Sequence, residues 1–259
     1  MDILDNLISN GLLHNNNIYH SKYTLVNYND TNFRLIYNKS TRDKGYVLED
    51  NQETTTDNKT DIEEIERISR CRTKQRIREL ALCNNFEYFG TITISGYFCD
   101  RYELTDCQRE LKKILKKIKR KNSDLKYIII TEKHKDGAFH FHGLFSGLDL
   151  ETNSFGYFHN KDFDLLGYNS FSRIIDYNKT CNYITKYITK DCVKNSTNQI
   201  FIRSRGLMTA TKEDLDLSGY FIDFKYENDF VKIYDFDLNN LSEDDKKLVS
   251  LLFSSYGFI

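Results

Sequence analysis

The stretch Glu132-Lys-His-Lys-Asp-Gly-Ala-Phe-His-Phe-His142, with the apolar run Tyr127-Ile-Ile-Ile130 just before it, decides how this chain is read. Residues i and i+2 of a β-strand point to one face, so His140 and His142 share a face. Asp136-Gly137 is a hairpin signal between two strand-like runs, 126–133 and 139–146. Such a hairpin brings Glu132 back beside the histidines. A two-residue turn pairs Glu132 with Phe141 and faces it the wrong way. One extra loop residue or a bulge pairs it with His142 instead, and all three side chains then share a face. Two imidazoles and a carboxylate so placed form an open site for a divalent cation. The plainer alternative is a solvated strand face. His134, inside the hairpin, is either a bystander or a support for a ligand.

A second motif, Tyr183-Ile-Thr-Lys-Tyr-Ile-Thr-Lys190, follows about forty residues later. No glycine or proline interrupts it, and Asn178 or Thr180 can cap a helix there. At about 100° per residue, Tyr183, Lys186, Tyr187 and Lys190 form one stripe. Cys181, Ile184 and Ile188 form a roughly opposite, apolar one. Alternatively, the tyrosines merely cover apolar neighbours and the lysines are solvated. A tyrosine hydroxyl, with a pKa of about 10, is a poor nucleophile at neutral pH. It can attack a phosphodiester when a metal polarises the phosphoryl oxygens. A lysine one turn away stabilises phosphate charge or positions the nucleophile.

Together these motifs resemble those of the HUH endonucleases, the initiators of rolling-circle replication. Glu132-x-His-x-Asp-Gly-x-x-His140-x-His142 is similar to the metal motif of geminivirus-type initiators. Tyr183-x-x-Lys186-Tyr187-x-x-Lys190 is similar to the paired-tyrosine motif of microvirus-type initiators, and Phe89-Gly-Thr-Ile-Thr-Ile94 to the first strand motif. The likeness spans roughly 70–240 and extends to replication proteins of small phages and plasmids. It implies a metal, Mg²⁺ or Mn²⁺, on His140, His142 and Glu132. It also implies an active tyrosine at Tyr183, Tyr187 or both, a 5′-phosphotyrosine intermediate, and single-stranded or hairpin origin DNA lying across the sheet. No G-x-x-x-x-G-K-[ST] run occurs, so a host helicase as well as a host DNA polymerase would be partners. A transposase or mobilisation relaxase of the same superfamily is one alternative. A non-catalytic nucleic-acid-binding protein is another.

Composition bounds the rest. The 259 residues suffice for one substantial core, or a core with an appendage. A formal charge of −1 says nothing of nucleic acid, but its distribution does. From Arg109 to Lys121 there are six Lys and two Arg against one Glu. Lys112, Lys113, Lys116 and Lys117 there, and Arg76 in an earlier basic segment, are candidate DNA contacts. Both segments also suit plain solubilising faces. Six scattered cysteines without paired spacing suit a reducing bacterial cytoplasm. No apolar run approaches the ~18 residues of a membrane span.

The expected domains are a polar, partly disordered segment over 1–60, the endonuclease domain over 61–240 and a helical tail over 241–259. Parts of 18–37 are strand-like. A basic helix covers 61–82, and a strand 86–94. A capping box at Thr105-Asp-Cys-Gln108 opens a helix with Leu111, Ile114, Leu115 and Ile118 as its apolar stripe. Segments 168–175, 200–206 and 220–226 read as strands, the last two as a closing hairpin that 230–236 extends. Ser242 begins a terminal helix. Short hairpins favour antiparallel pairing, so the fold is α+β: a mainly antiparallel sheet with helices packed on one face. The resemblance makes it a five-stranded ferredoxin- or RRM-like core.

Overall fold

Strand alternation and helical stripes set the elements, and long-range pairing sorts them into two sheets. A computed structural model describes residues 23–39, 61–188, 201–215, 217, 222–228 and 231–256. In chain order it contains β1 (Tyr23–Asn27), β2 (Asn32–Asn38), α1 (Asp61–Leu82), β3 (Tyr88–Thr93), α2 (Leu104–Lys121), β4 (Lys126–Lys133) and β5 (Phe139–Ser146). Next come β6 (Glu151–Thr152), β7 (Phe158–His159), α3 (Lys161–Asp164), β8 (Asn169–Arg173), α4 (Tyr177–Tyr183) and a 3-10 turn (Ile184–Tyr187). The described chain closes with β9 (Phe201–Arg203), β10 (Thr211–Leu215), β11 (Tyr226–Glu227), β12 (Val231–Asp237) and α5 (Glu243–Tyr256). Every strand pairing among the described residues is antiparallel, and the fold is α+β.

The chain forms two compact units, Asn58–Thr209 and Met1–Asp57 with Ala210–Ile259. These boundaries differ from 61–240 and 241–259. The reason is that β1 and β2 pair with β10 and β12, in the order β10-β1-β2-β12-β11. Linear composition cannot show such pairing. This sheet encloses Leu25, Leu35, Leu215 and Phe236 with Leu248 and Leu252 of α5. The closing hairpin is also corrected. β9 pairs with β4, whereas β11 pairs with β12 in the other sheet. Positions 18–19, 40–60 and 218–221 lie outside the described residues.

The unit Asn58–Thr209 holds a seven-stranded sheet, β6-β7-β8-β3-β5-β4-β9, wider than the five strands expected because short β6, β7 and β9 extend its edges. One face carries Ile92, Ile129, Phe141 and Phe145, packed on Leu111, Ile114, Leu115 and Ile118 of α2. The apolar stripe of α2 is therefore buried as its spacing requires. The capping box is not formed: α2 begins at Leu104, its N-cap is Glu103, and no side chain caps it. The opposite face carries His140, His142, Ile128, Ile130 and Glu132. The 3-10 turn packs there on β4 and β5, with α1 against α4 and the turn. Helices therefore cover both faces rather than one.

Between the faces lies a close approach. Gly90 of β3 stands opposite Gly143 of β5. A Cβ on Gly90 would overlap the Phe171 ring, and one on Gly143 would come within 2.7 Å of the Phe145 ring. These two rings meet edge to face at 5.3 Å. The glycine pair leaves room for that aromatic packing.

Candidate active site

The β4–β5 hairpin turns through Lys135, Asp136 and Gly137. Gly137 N–H donates to His134 O at 2.9 Å, and His134 N–H donates to Ala138 O at 2.8 Å. Gly137 has φ 90°, the left-handed region that closes a three-residue hairpin loop. The extra loop residue is present, but it sits before Asp136 and shifts the partner: Glu132 stands opposite His140, not His142. Facing depends only on parity, so Glu132, His140 and His142 still share a face.

Two cross-strand rows build the site. Thr93, His140 and Glu132 form one row across β3, β5 and β4, and Thr91, His142 and Ile130 form the next. His142 Nε2 meets Glu132 Oε2 at 2.8 Å, and His142 Nδ1 lies 3.1 Å from Thr91 Oγ1. His140 Nδ1 lies 3.4 Å from Thr93 Oγ1, and its ring stacks on His134 with centroids 5.0 Å apart. Burial holds both imidazole pKa values below the usual range. The adjacent His134 adds to this at His140, while Glu132 opposes it at His142.

The tyrosine element reaches this face because its apolar stripe is anchored. Cys181, Ile184 and Ile188 are buried, as their spacing requires. Tyr177 Oη donates to Ala81 O at 2.7 Å, and Arg78 Nε donates to Asn182 Oδ1 at 2.9 Å, so α4 is tied to α1. The cap is Asp176, whose carboxylate accepts from Lys179 N–H at 3.0 Å, not Asn178 or Thr180. The helix is also shorter than expected. It tightens to 3-10 geometry at Ile184, and Ile188 is already extended. Lys190 lies outside the described residues.

Tyr187 and His142 stack face to face, centroids 3.8 Å apart and planes 12° from parallel. Tyr187 Oη donates to Tyr183 Oη at 3.1 Å. Phe89 packs edge-on against Tyr183 at 5.7 Å, and Lys186 Nζ sits 4.7 Å from the Tyr183 ring centre. The two tyrosines differ. Tyr183 is exposed, whereas Tyr187 is half-buried. Burial first, then the hydrogen bond to Tyr183 and the charge of Glu132, raise the Tyr187 phenol pKa well above its usual value.

Among the described residues, no three His, Cys, Asp or Glu side chains stand close enough, as placed, to hold a metal ion. The donor chemistry nonetheless fits one. Each histidine has a threonine hydroxyl near Nδ1, which leaves Nε2 to a ligand, as in metal-bound histidines generally. Glu132 already reaches His142 Nε2. Sequence reasoning misses Thr91 and Thr93. The period-2 pattern of β3 puts both on one face, but only the β3–β5 register sets them against the histidines.

The candidate DNA contacts divide. Lys112, Lys113, Lys116 and Lys117 are exposed on α2, beyond the sheet face opposite the histidines. Arg76 is on α1, on the histidine side, with Glu79 at 3.8 Å.

Residues 87–192 match a family model described as that of the replication-associated protein ORF2. The match spans both motifs and ties this part of the chain to replication-associated proteins. No curated protein and no solved structure matches the chain. Among the described residues, no helix is long and apolar enough to cross a membrane.

Proposed function

We propose that this chain is a metal-dependent tyrosine endonuclease and strand transferase that nicks and rejoins single-stranded origin DNA to initiate rolling-circle replication. One observation carries the reading: Tyr187 stacks on His142 while its hydroxyl reaches Tyr183. Two motifs about forty residues apart thereby become one site, where a scissile phosphate can meet both.

Glu132, His140 and His142 would hold the metal, Mg²⁺ or Mn²⁺, which when bound supplies Lewis-acid polarisation of the phosphoryl oxygens. Tyr183 is the first nucleophile, because its hydroxyl is exposed and accepts the Tyr187 hydrogen bond. Its oxygen forms a bond to phosphorus as the bond from phosphorus to the 3′-oxygen breaks. The departing 3′-oxygen takes up a proton, and the phenol proton goes to solvent. Lys186, against the Tyr183 ring, adds positive charge where the phosphate must sit. Attack by a 3′-hydroxyl on the phosphotyrosine reverses the bonds and rejoins the strand.

The test is capture of the adduct. A 5′-labelled origin oligonucleotide does not suit it, because the retained half is the downstream one; a 3′-labelled strand does. With Mn²⁺, wild type should give a labelled protein, with the linked peptide containing Tyr183 by mass spectrometry. Tyr183→Phe should abolish the first adduct, whereas Tyr187→Phe should slow it and impair rejoining. DNA binding without any adduct would favour a non-catalytic nucleic-acid-binding protein.

A further inference from the structure

On the histidine face, at the β9 edge of the sheet, lies a groove of about 600 Å³ whose lining includes Thr73 of α1 and Phe201, Arg203, Arg205 and Gly206. From this groove, we infer that the DNA phosphate backbone leaves the active site along the α1–β9 edge, held by Arg203 and Arg205, rather than over the lysines of α2. The inference rests on the nuclease reading for its direction, and its binding chemistry can be tested separately.

Register supplies the continuity. Phe201 pairs with Ile130, and Ile130 pairs with His142, so the three form one row across β9, β4 and β5. Arg203 pairs with Ile128 in the next row of the same face. At about 4.8 Å between strands, the groove backbone lies about 10 Å from that of His142. Ser204 holds the segment in place: its N–H donates to Tyr127 O at 3.0 Å, and its Oγ accepts from Tyr127 N–H at 3.2 Å.

Charge supplies the ligand class. The groove lining contains two arginines and no acid. Among the described residues, neither Arg203 nor Arg205 has a carboxylate partner. On a helix, residues three before and three after Thr73 flank it, and here they are Arg70 and Arg76. The cations of α2 are largely neutralised. Lys113 pairs with Glu110 at 2.8 Å, while Lys117 and Lys121 share Asp162 at 3.0 and 2.6 Å. They also stand behind the sheet from the site. An anion that must touch both Tyr183 and a basic surface is therefore better served by the groove. Arginine forks suit phosphate oxygens, and such contacts carry no sequence preference.

The experiment measures noncovalent binding of labelled oligothymidylate by anisotropy over a range of salt concentrations. It uses the full chain in a Tyr183→Phe/Tyr187→Phe background. Each phosphate contact to a single strand contributes about 0.7 to the slope of log affinity against log salt. Arg203→Gln/Arg205→Gln should lower the slope by about 1.4. Arg70→Gln/Arg76→Gln, on the opposite wall, should also lower it, which guards against a local folding defect in β9. Lys112→Gln/Lys116→Gln should leave it unchanged. An unchanged slope in both groove variants overturns the inference, as does an equal loss from the α2 variant. If the slope falls as expected but the tyrosine-intact protein forms no adduct, the groove stands and the nuclease reading fails.

Discussion

A phenol stacked on an imidazole, half-buried and donating its proton to a neighbouring oxygen, is held in its neutral form. Tyr187 is in that position, and its partner Tyr183 gains a donor as its own proton leaves. Four residues of spacing therefore yield two unlike tyrosines, which the repeated Tyr-x-x-Lys pattern does not reveal. The histidines are set by residues outside either motif. Thr91 Oγ1 near His142 Nδ1 fixes the ring orientation that presents Nε2. Thr91→Val keeps the shape and removes that partner. It should weaken Mn²⁺ affinity by about 10–100-fold, measured by isothermal titration, while far-ultraviolet circular dichroism stays unchanged. Wild-type affinity in this variant would remove Thr91 from the site.

At the scale of elements, packing chose among possibilities that local patterns left open. β3 and β5 come together at Gly90 and Gly143, where the Phe145 and Phe171 rings cross them. Gly90→Ala puts a methyl into the Phe171 ring, and the strand or the ring must shift. It should destabilise the protein by about 1–3 kcal/mol, measured by urea unfolding. A change within error would mean that the rings repack freely. α5 offers a separate test. The buried Asp245 accepts from Lys225 Nζ at 2.6 Å and from Ser242 N–H and Oγ–H at 2.8 and 2.7 Å, and its own N–H donates to Ser242 Oγ at 3.1 Å. This reciprocal pair is the capping box of α5. Burial alone would raise the carboxyl pKa, but the hydrogen bonds from Lys225 and Ser242 outweigh it and hold the value well below the usual range. A folded pKa below the unfolded value of about 3.9 means stabilisation that is complete above that pH. It is lost as pH falls through the folded value. Asp245→Asn should lower the urea midpoint at neutral pH and flatten its decline below about pH 4. An unaltered pH profile would show that Asp245 carries no such linkage.

For the molecule as a whole, two cores form from interleaved stretches of chain, and the candidate site belongs to Asn58–Thr209. A metal that binds only the folded site stabilises by mass action. At saturating Mn²⁺, about 100 times Kd, the gain is about 2.7 kcal/mol. It should appear as a rise in Tm that EDTA reverses. His140→Ala/His142→Ala should abolish the rise and the adduct together while leaving the oligothymidylate salt slope in place. A full metal-induced rise in that double variant would sink the assigned ligands.

Parity and helical stripes were legible from the sequence alone. Alternation along β4 and β5 put Glu132, His140 and His142 on one face for any register of the right parity. The spacing of Cys181, Ile184 and Ile188 aimed Tyr183 and Tyr187 away from the core. Both are consequences of local backbone periods, which a single segment contains in full. Partnership across the chain was decided by the tertiary structure: Glu132 opposite His140, Thr91 and Thr93 against the histidines, and Tyr187 on His142. The same holds for β1 and β2, which join strands near residue 211 and beyond. Such contacts depend on how side-chain volumes fill the space between distant segments, as Gly90, Gly143, Phe145 and Phe171 do here, and no local period encodes that fit.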